Sequence, residues 1–194
     1  MSGRRKVYII TANHGKIREI KQWLVPLGID VDVLSGDFVE IQSDSLEEVV
    51  YYGLKQYAED HRVDHPFIKD DSGLFIKSLG GFPGVYSAYV HKTLGNEGII
   101  RMMDGIEDRK AVFKTAVGMF IPGKGISIFR GEVAGAISGE IRGTGGFGYD
   151  PIFIPEGQER TFAEMTTSEK NSMSHRIRAV KQMVDYISRG DGIV

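Results

Sequence analysis

The sequence predicts an α/β fold in which helices pack against a mixed β-sheet. A strand, a polar loop and a helix open the chain, a second amphipathic helix follows, and a long β-hairpin occupies the second half. Helices alternating with strands, followed by a hairpin, indicate a sheet with both parallel and antiparallel pairs. The order of the strands does not follow from these patterns.

The first α/β element lies within residues 6–34. Lys6–Thr11 is predicted as a buried strand and Asp30–Leu34 as a second, short one. A helix is predicted between them and ends at Pro26-Leu27-Gly28. Its apolar residues at helical spacing are Ile17, Ile20, Leu24 and Leu27.

A second helix is predicted after Ser45, because Ser45 and Glu48 have the spacing of a capping box. Phe67-Ile68 then supplies a strand, and Asn96–Met103 a third helix. The face of the second helix is formed by Leu46, Val49, Val50, Gly53, Leu54, Tyr57 and Ala58.

The long hairpin consists of residues 111–121 and 126–137, joined by Pro122-Gly123-Lys124-Gly125. A final helix follows near the end of the sequence. Its predicted buried stripe is Met173, Ile177, Val180, Val184 and Ile187. No internal repeat or linker is evident, so residues 1–194 are predicted to form one domain.

Composition excludes several classes of protein. With 41% hydrophobic and 26% charged residues among 194, the chain has the composition of a globular protein. No segment is long and apolar enough to span a membrane, and the apolar run after the basic start is too short for a signal peptide. The net charge of -2 argues against a nucleic-acid polymer as partner. The absence of cysteine excludes disulfides and fits a cytoplasmic location.

Two adjacent carboxylates, Asp70 and Asp71, follow the strand residues Phe67-Ile68. Neighbouring side chains on a strand point to opposite faces, so one aspartate can face a site while the other faces the interior or a second ion. Two anions this close repel unless a cation lies between them, and hard oxygen ligands favour Mg²⁺ or Mn²⁺ over Zn²⁺. The alternative is an acidic turn that caps the next segment.

The loop from Thr11 to Lys16 joins the first strand to the first helix and predicts a phosphate-binding site. Backbone N–H groups and the helix dipole attract anions there, and Lys16 adds a charge. Alternatively, Asn13 is simply the helix N-cap. In the connection Gly36–Gln42, Glu40 is placed where it could share a metal with Asp71, or it is merely a solvated loop residue.

The glycine-rich segment from Gly143 to Pro151 predicts close approach of the backbone to a ligand. Phe147 or Tyr149 offers a flat face for a base, and Asp150 before proline is held extended. The alternative is a glycine-rich turn with aromatic residues in the core.

Lys170, His175 and Arg176 place three potential cations near the final helix. On a straight helix His175 falls nearly opposite the apolar stripe. A break at Ser174, with Ser174 as a new N-cap, would instead aim His175 and Arg176 at one ligand. We favour the break, and the alternative is an ordinary solvated face.

These motifs, in this order, resemble the inosine triphosphate pyrophosphatase family, the Ham1-like enzymes that hydrolyse non-standard purine nucleoside triphosphates. The resemblance covers nearly the whole chain. The residues that carry it are Thr11-x-Asn13-x-x-Lys16, Glu40, Asp70-Asp71-Ser72-Gly73, Leu79-Gly80-Gly81-x-Pro83-Gly84, Gly146-Phe147-Gly148-Tyr149-Asp150-Pro151-Ile152-Phe153, Ala163-Glu164-Met165 and Glu169-Lys170-x-x-x-Ser174-His175-Arg176.

The resemblance implies a homodimeric, magnesium-dependent hydrolase, with Mn²⁺ as a possible substitute. It implies an elongated mixed sheet flanked by helices, with two lobes around a central nucleotide cleft. Similar enzymes cleave ITP, dITP and XTP between the α and β phosphates, releasing a nucleoside monophosphate and pyrophosphate.

The family's residue roles carry over by position. The resemblance implies that Glu40 and Asp71 bind the metal, that Asp71 also activates water, and that Asp70 assists it. Ser72 and Lys55 would touch the substrate, although Tyr51-Tyr52-Gly53-Leu54 before Lys55 departs from the commoner bacterial pattern. Tyr89 replaces an arginine of many bacterial relatives. The triphosphate would be held by Thr11, Asn13 and Lys16. The base would be enclosed by Phe147, Gly148, Tyr149, Asp150, Lys170, His175 and Arg176.

Two alternative functions remain open at this point. One is a nucleotide-binding module without turnover, which would need neither Glu40 nor the paired aspartates. The other is a Maf-type pyrophosphatase with a different base preference and a similar architecture.

Overall fold

A computed structural model of the chain describes residues 5–34 and 40–191. Part of the predicted Gly36–Gln42 connection therefore lies outside the described residues. In the described ranges the strands are β1 (Arg5–Ile10), β2 (Ile29–Leu34), β3 (Phe67–Ile76), β4 (Pro83–Gly84), β5 (Lys110–Ile121), β6 (Gly125–Ile137) and β7 (Phe153–Pro155). The α-helices are α1 (His14–Leu24), α2 (Leu46–His61), α3 (Ser87–Thr93), α4 (Gly95–Met102), α5 (Thr167–Met173) and α6 (His175–Tyr186).

The strands form one mixed sheet in the order β2-β1-β3-β5-β6-β7, and β4 pairs with β3. The pairs β1–β2 and β1–β3 are parallel, with Val7 opposite Val31 and Ile9 opposite Ile68. The pairs β3–β4 and β6–β7 are antiparallel. The predicted α/β class is therefore confirmed, because parallel strands joined by helices occur together with a hairpin.

The chain divides into two compact units. The first unit comprises Met1–Asp71, Thr115–Gly131 and Arg176–Val194, and the second comprises Ser72–Lys114 and Glu132–His175. β3, β5 and β6 contribute residues to both. Among the described helices, none has the length and apolar character needed to cross a membrane.

Each unit has its own apolar core. The core of the first unit buries Val7 and Ile9 of β1, Ile20 and Leu24 of α1, and Val180 of α6, among others. The core of the second unit is rich in aromatic residues, and its buried members include Phe113, Phe153 and Phe162. The interlocking of strand and helix side chains supplies most of the stability of each unit.

The helices begin largely where their capping residues predict. Asn13 caps α1, and Ser45 caps α2 by accepting a hydrogen bond from the N–H of Glu48 at 3.3 Å. The second half of the predicted capping box does not form. The Glu48 carboxylate accepts instead from the Ser43 hydroxyl at 2.6 Å, because Ser43 lies within its reach.

Three short elements, β4, α3 and β7, were not predicted from the sequence. α3 has seven residues, of which only Ser87 and Val90 are buried, so no apolar stripe marks it. β7 has three residues, too few to show an alternating pattern. The third helix was predicted at 96–103, and α4 begins one residue earlier and ends one earlier.

The predicted break at Ser174 is confirmed. α5 ends at Met173, Ser174 has an extended backbone with φ -66° and ψ 147°, and α6 starts at His175. The apolar stripe predicted for one final helix is therefore divided between α5 and α6. Met173 packs against the core of the second unit, while Val180 is buried in that of the first.

Replacement of Gly118 by alanine tests the packing of α2 on the sheet. An added Cβ would lie 2.4 Å from Val50 Cγ1 and 2.5 Å from Leu54 Cδ1. We expect Gly118→Ala to destabilise the protein by about 1–3 kcal/mol through overpacking, measured by urea unfolding. Gly139→Ala is the matched control because, among the described residues and apart from its chain neighbours, no heavy atom lies within 4 Å of an added Cβ. Equal stabilities of the two variants would contradict this packing.

Candidate active site

The start of α1 is organised by its own side chains. Asn13 Oδ1 accepts hydrogen bonds from the N–H groups of Gly15 at 2.9 Å and Lys16 at 3.2 Å, and the Asn13 N–H donates to Thr11 Oγ1 at 3.1 Å. Asn13 is thus an N-cap, as the alternative interpretation held. Because two backbone donors are engaged by Asn13, an anion here would depend mainly on the Lys16 ammonium and the helix dipole.

Asp70 lies at the centre of a buried ion cluster in the first unit. Arg176 Nε donates to Asp70 Oδ2 at 2.9 Å, and Lys16 Nζ lies 3.3 Å from the same oxygen. Lys16 also donates to the Asp70 carbonyl at 3.1 Å. Arg176 Nη1 donates to the carboxylate of Glu19. The cluster joins β3, α1 and α6, and it contains two carboxylates and two cations.

The cluster sets the ionisation of its members. Burial alone would raise the pKa of Asp70, but the charges of Lys16 and Arg176 and their hydrogen bonds outweigh it and lower the pKa from 3.8 to about 2. Burial likewise disfavours the Arg176 cation, yet Glu19 and Asp70 raise its pKa above the ordinary value. Asp70 is therefore a firmly ionised partner of these cations rather than a group suited to accept a proton.

Asp71 faces away from this cluster because adjacent side chains on a strand point to opposite faces. Lys69 precedes it by two residues and so lies on the same face of β3. The Lys69 ammonium donates to Glu40 Oε1 at 2.9 Å. Glu40 is thereby held on the face that carries Asp71, and both carboxylates belong to the first unit. The alternative of an acidic turn is wrong, because Asp70 and Asp71 both lie within β3.

These two carboxylates fit a magnesium ion in their chemistry. Mg²⁺ commonly binds through one or two carboxylates together with substrate phosphates and water, without a complete cage of protein ligands. Within residues 5–34 and 40–191, no group of three or more His, Cys, Asp or Glu side chains is assembled for a metal. A metal at Glu40 and Asp71 would have these two carboxylates as ligands, and substrate phosphates and water are suited to its other positions.

The glycine-rich segment of the second unit folds around Asp150. Asp150 Oδ2 accepts from the Phe147 N–H at 2.8 Å and from Lys170 Nζ at 2.5 Å. Gly146 has φ +69°, and an added Cβ would lie 2.1 Å from Asp150 Oδ2. The ammonium of Lys170 also lies 4.6 Å from the centre of the Phe147 ring. The structure thus brings together three of the residues predicted to enclose a base.

Other contacts hold the rest of this segment. Asn96 Nδ2 donates to the carbonyl of Gly148 at 3.1 Å. Tyr149 is only 3% exposed, its hydroxyl donates to the Ser87 carbonyl at 3.1 Å, and burial raises the pKa of this hydroxyl. Tyr149 is therefore buried beneath this segment, whereas Phe147 is half-buried.

The start of α5 positions Lys170. Thr166 is the N-cap and forms a complete capping box with Glu169. Arg160 donates to Glu169 at 2.7 Å, and this hydrogen bond, with that from the Thr166 N–H, holds the pKa of Glu169 at about 2. The carboxylate that anchors the first turn therefore stays ionised, and Lys170 follows it on a fixed turn of helix.

The remaining predicted residues occupy different surroundings. His175 is buried in the second unit and stacks on Phe113, with ring centres 4.7 Å apart and planes inclined by 7°. Ser72 is half-buried in β3. Lys55 lies on α2 with half of its side chain exposed and has Glu59 at 4.0 Å. The substrate contacts expected of these residues stay predictions, as does a base contact by Arg176.

Three residues of these clusters were not singled out from the sequence. Glu19 could have been noticed as an acid next to Ile20 on the buried side of α1. Lys69 is a charged residue within an apolar strand, which is a second visible signal. Asn96 carries no sequence signal, because its partner is a backbone carbonyl 52 residues away.

Replacement of Asp70 by asparagine tests the ion cluster. Removing one partner from a buried pair leaves charge uncompensated, so we expect Asp70→Asn to cost about 3–5 kcal/mol in free energy of unfolding at neutral pH.

The same variant should alter the dependence of stability on pH. The folded pKa of Asp70 is lowered from 3.8 to about 2, so its contribution is complete above about pH 4 and is lost as pH falls towards 2. We expect wild type to lose about 2 kcal/mol more than Asp70→Asn across this window, measured by urea unfolding from pH 5 to 2. Asp60→Asn, at an exposed position of α2, is the control. Identical pH profiles of Asp70→Asn and wild type would show that Asp70 is not held ionised by its neighbours.

Comparison with known proteins shows the family of this chain. The model of the Ham1 family matches residues 7–186. The chain is 51% identical over 182 residues to the dITP/XTP pyrophosphatase of Pyrococcus horikoshii, covering 94% of this chain and 96% of that one. It is equally similar to the dITP/XTP pyrophosphatase of Thermococcus kodakarensis, covering 94% and 97%. The structure of the Staphylococcus aureus Ham1 protein matches with a TM-score of 0.82 and 28% identity, over 96% of this chain and all of the other. This chain therefore belongs to the Ham1 family.

Proposed function

We propose that this protein hydrolyses dITP, XTP and ITP to the nucleoside monophosphate and pyrophosphate, and so removes non-standard purine nucleotides from the nucleotide pool. The observation that carries the proposal is its similarity, over nearly its full length, to proteins named dITP/XTP pyrophosphatase. The position of Asp71 in β3, on the face where Lys69 holds Glu40, supports it.

The triphosphate is assigned to residues of the first unit. Lys16 supplies positive charge at the start of α1, and Thr11 and Asn13 shape the loop before it. Glu40 and Asp71 provide the oxygen ligands for Mg²⁺, for which Mn²⁺ could substitute. When bound, the divalent ion neutralises charge on the phosphates and makes a water molecule more acidic.

Asp71 is assigned the proton transfer. A buried carboxylate that is hydrogen-bonded by side-chain cations is poorly placed to take a proton from the attacking water, because these cations occupy its oxygen and lower its proton affinity. Asp70, with a pKa of about 2, is in that position beside Lys16 and Arg176. We therefore assign Asp70 to holding these two cations, and Asp71 to the water.

The base is assigned to residues of the second unit. Phe147 offers a ring for stacking, and Lys170 offers N–H donors beside it. A purine with an oxygen at its 6-position can accept such donors, whereas adenine presents an amino group there. Leaving a buried donor without a partner costs about 1–3 kcal/mol, which favours the 6-oxo purines. Other residues stay candidate contacts of the substrate: Ser72, Gly148, Tyr149, His175 and Lys55.

Membership of the Ham1 family favours this activity over a Maf-type pyrophosphatase and over a binding module without turnover. Pyrophosphate release from dITP distinguishes the three possibilities. Homodimer formation and a cytoplasmic location stay predictions, the first from the family and the second from the composition.

Replacement of Asp71 by asparagine tests the assignment of the proton acceptor and metal ligand. With Mg²⁺ present, we expect Asp71→Asn to lower kcat for pyrophosphate release from dITP by about 10³-fold or more, because general-base and metal contributions are both lost. Binding of dITP should stay within about tenfold, since the lost interactions act mainly in the transition state.

The measurements are pyrophosphate release and calorimetric titration with dITP in the absence of turnover. Asp60→Asn is the control, because Asp60 is exposed on α2 and has the same side chain. Near-normal turnover by Asp71→Asn would remove Asp71 from the reaction.

Replacement of Phe147 by alanine tests the stacking role. Stacking does not depend on which purine is present, so kcat/KM should fall for dITP and dATP alike, by about 5–150-fold for 1–3 kcal/mol. The ratio of the two values should be preserved. A loss confined to dITP would show that Phe147 discriminates between the bases instead of stacking on them.

A further inference from the structure

Lys69 is a buried cation on the face of β3 that carries Asp71. Its side chain is 2% exposed, whereas the side chain of Glu40, to which it donates, is 60% exposed. Lysines are rarely buried to this extent unless their charge is matched by a partner. The ammonium at 2.9 Å from Glu40 Oε1 therefore restrains a carboxylate that would otherwise move freely in solvent.

Gly53 of α2 provides the space for the Lys69 side chain. A Cβ at this position would lie 2.6 Å from Lys69 Cε and 2.7 Å from Lys69 Cδ. Glycine in a helix interior costs about 1 kcal/mol relative to alanine, so a packing reason is needed for it here. The neighbouring buried residues Val50 and Leu54 complete this face of α2. The stem of Lys69 thus runs along the helix at the one position that lacks a side chain.

We propose that Lys69 is a positioning residue that holds Glu40 over the Asp71 face, and that its charge weakens the binding of a free divalent cation there. Glu40 and Asp71 together carry two negative charges, and Lys69 offsets one of them. The affinity of carboxylate sites for hard cations depends on the number of ligand charges and on rigidity. A divalent cation then binds well only together with the triphosphate, because the negative charges of the phosphates restore the attraction of the site for the cation.

This inference rests on the proposed metal role of Glu40 and Asp71, and goes beyond it by assigning the order in which ligands bind. Lys69 fixes the position of the carboxylate and at the same time reduces the net charge of the site. The reduced charge favours uptake of the nucleotide and the metal together over prior loading with the metal.

The test is titration of the full chain with Mn²⁺ alone, followed by electron paramagnetic resonance of the free ion. We expect Lys69→Met to bind Mn²⁺ about tenfold or more tightly than wild type, because one positive charge leaves the site. Methionine can follow the lysine stem past Gly53 without a charge. Lys77→Met, which removes an exposed lysine paired with Asp108, is the matched control and should leave the affinity within about twofold.

A second variant, Lys69→Gln, keeps a side chain that can donate to Glu40 but lacks the charge. It should also bind Mn²⁺ more tightly, and it keeps the test valid if Lys69→Met does not fold. A non-hydrolysable dITP analogue should reduce the difference between wild type and both variants, since the triphosphate then dominates the charge of the site.

Unchanged or weaker Mn²⁺ binding in folded Lys69→Met or Lys69→Gln, with Glu40→Gln weakening it, would overturn the role of Lys69 alone. If Glu40→Gln left Mn²⁺ binding unchanged, the metal role of Glu40 in the proposed function would fail as well. The two failures are thus distinguishable by direct binding, without any measurement of activity.

Discussion

The ion cluster around Asp70 is the interaction on which the rest of the first unit depends. Its four charged side chains come from β3, α1 and α6, and none of them could be buried alone without a large loss of hydration. Because each cation meets a carboxylate, the start of α1 and the start of α6 are fixed against one point of β3. The placement of Lys16 follows directly from this constraint.

The same cluster determines what Asp71 can do. Alternation along a strand means that Asp70, once held by Arg176, leaves the next carboxylate on the other face. Two adjacent and chemically identical side chains thereby acquire different surroundings. Asp70 is kept ionised by neighbouring cations inside the protein. Asp71 lies on the face of β3 where Lys69 holds Glu40. Chemical differentiation of a carboxylate pair by its environment is a general way to divide roles between them.

The second unit applies the same principle to a backbone segment. The buried pair of Asp150 and Lys170 requires matched charges, and the Phe147 N–H supplies a further donor to the same carboxylate oxygen. The glycine-rich segment closes around this oxygen, since a side chain at Gly146 would occupy its position. The backbone of Phe147 is thus fixed by its own hydrogen bond to Asp150.

Much of the fold could be predicted because the signals are local. Apolar repeats within about a dozen residues mark β1, α1, β5 and β6. The break at Ser174 is predicted because, on a straight helix, His175 would fall nearly opposite the apolar stripe. α3 and β7 are too short to show a repeat, and they form because neighbouring elements pair or pack with them. Propensity carries little information at that length.

The sequence by itself determined the class of fold, the order of the motifs and, through them, the family and the candidate residues. Only the tertiary structure decided which charges meet. Arg176 lies 106 residues from Asp70 and 157 from Glu19, and Lys69 lies 29 from Glu40. No pattern along the chain specifies such pairs, because ion pairing depends on distances of a few ångströms that exist only after the strands and helices have packed.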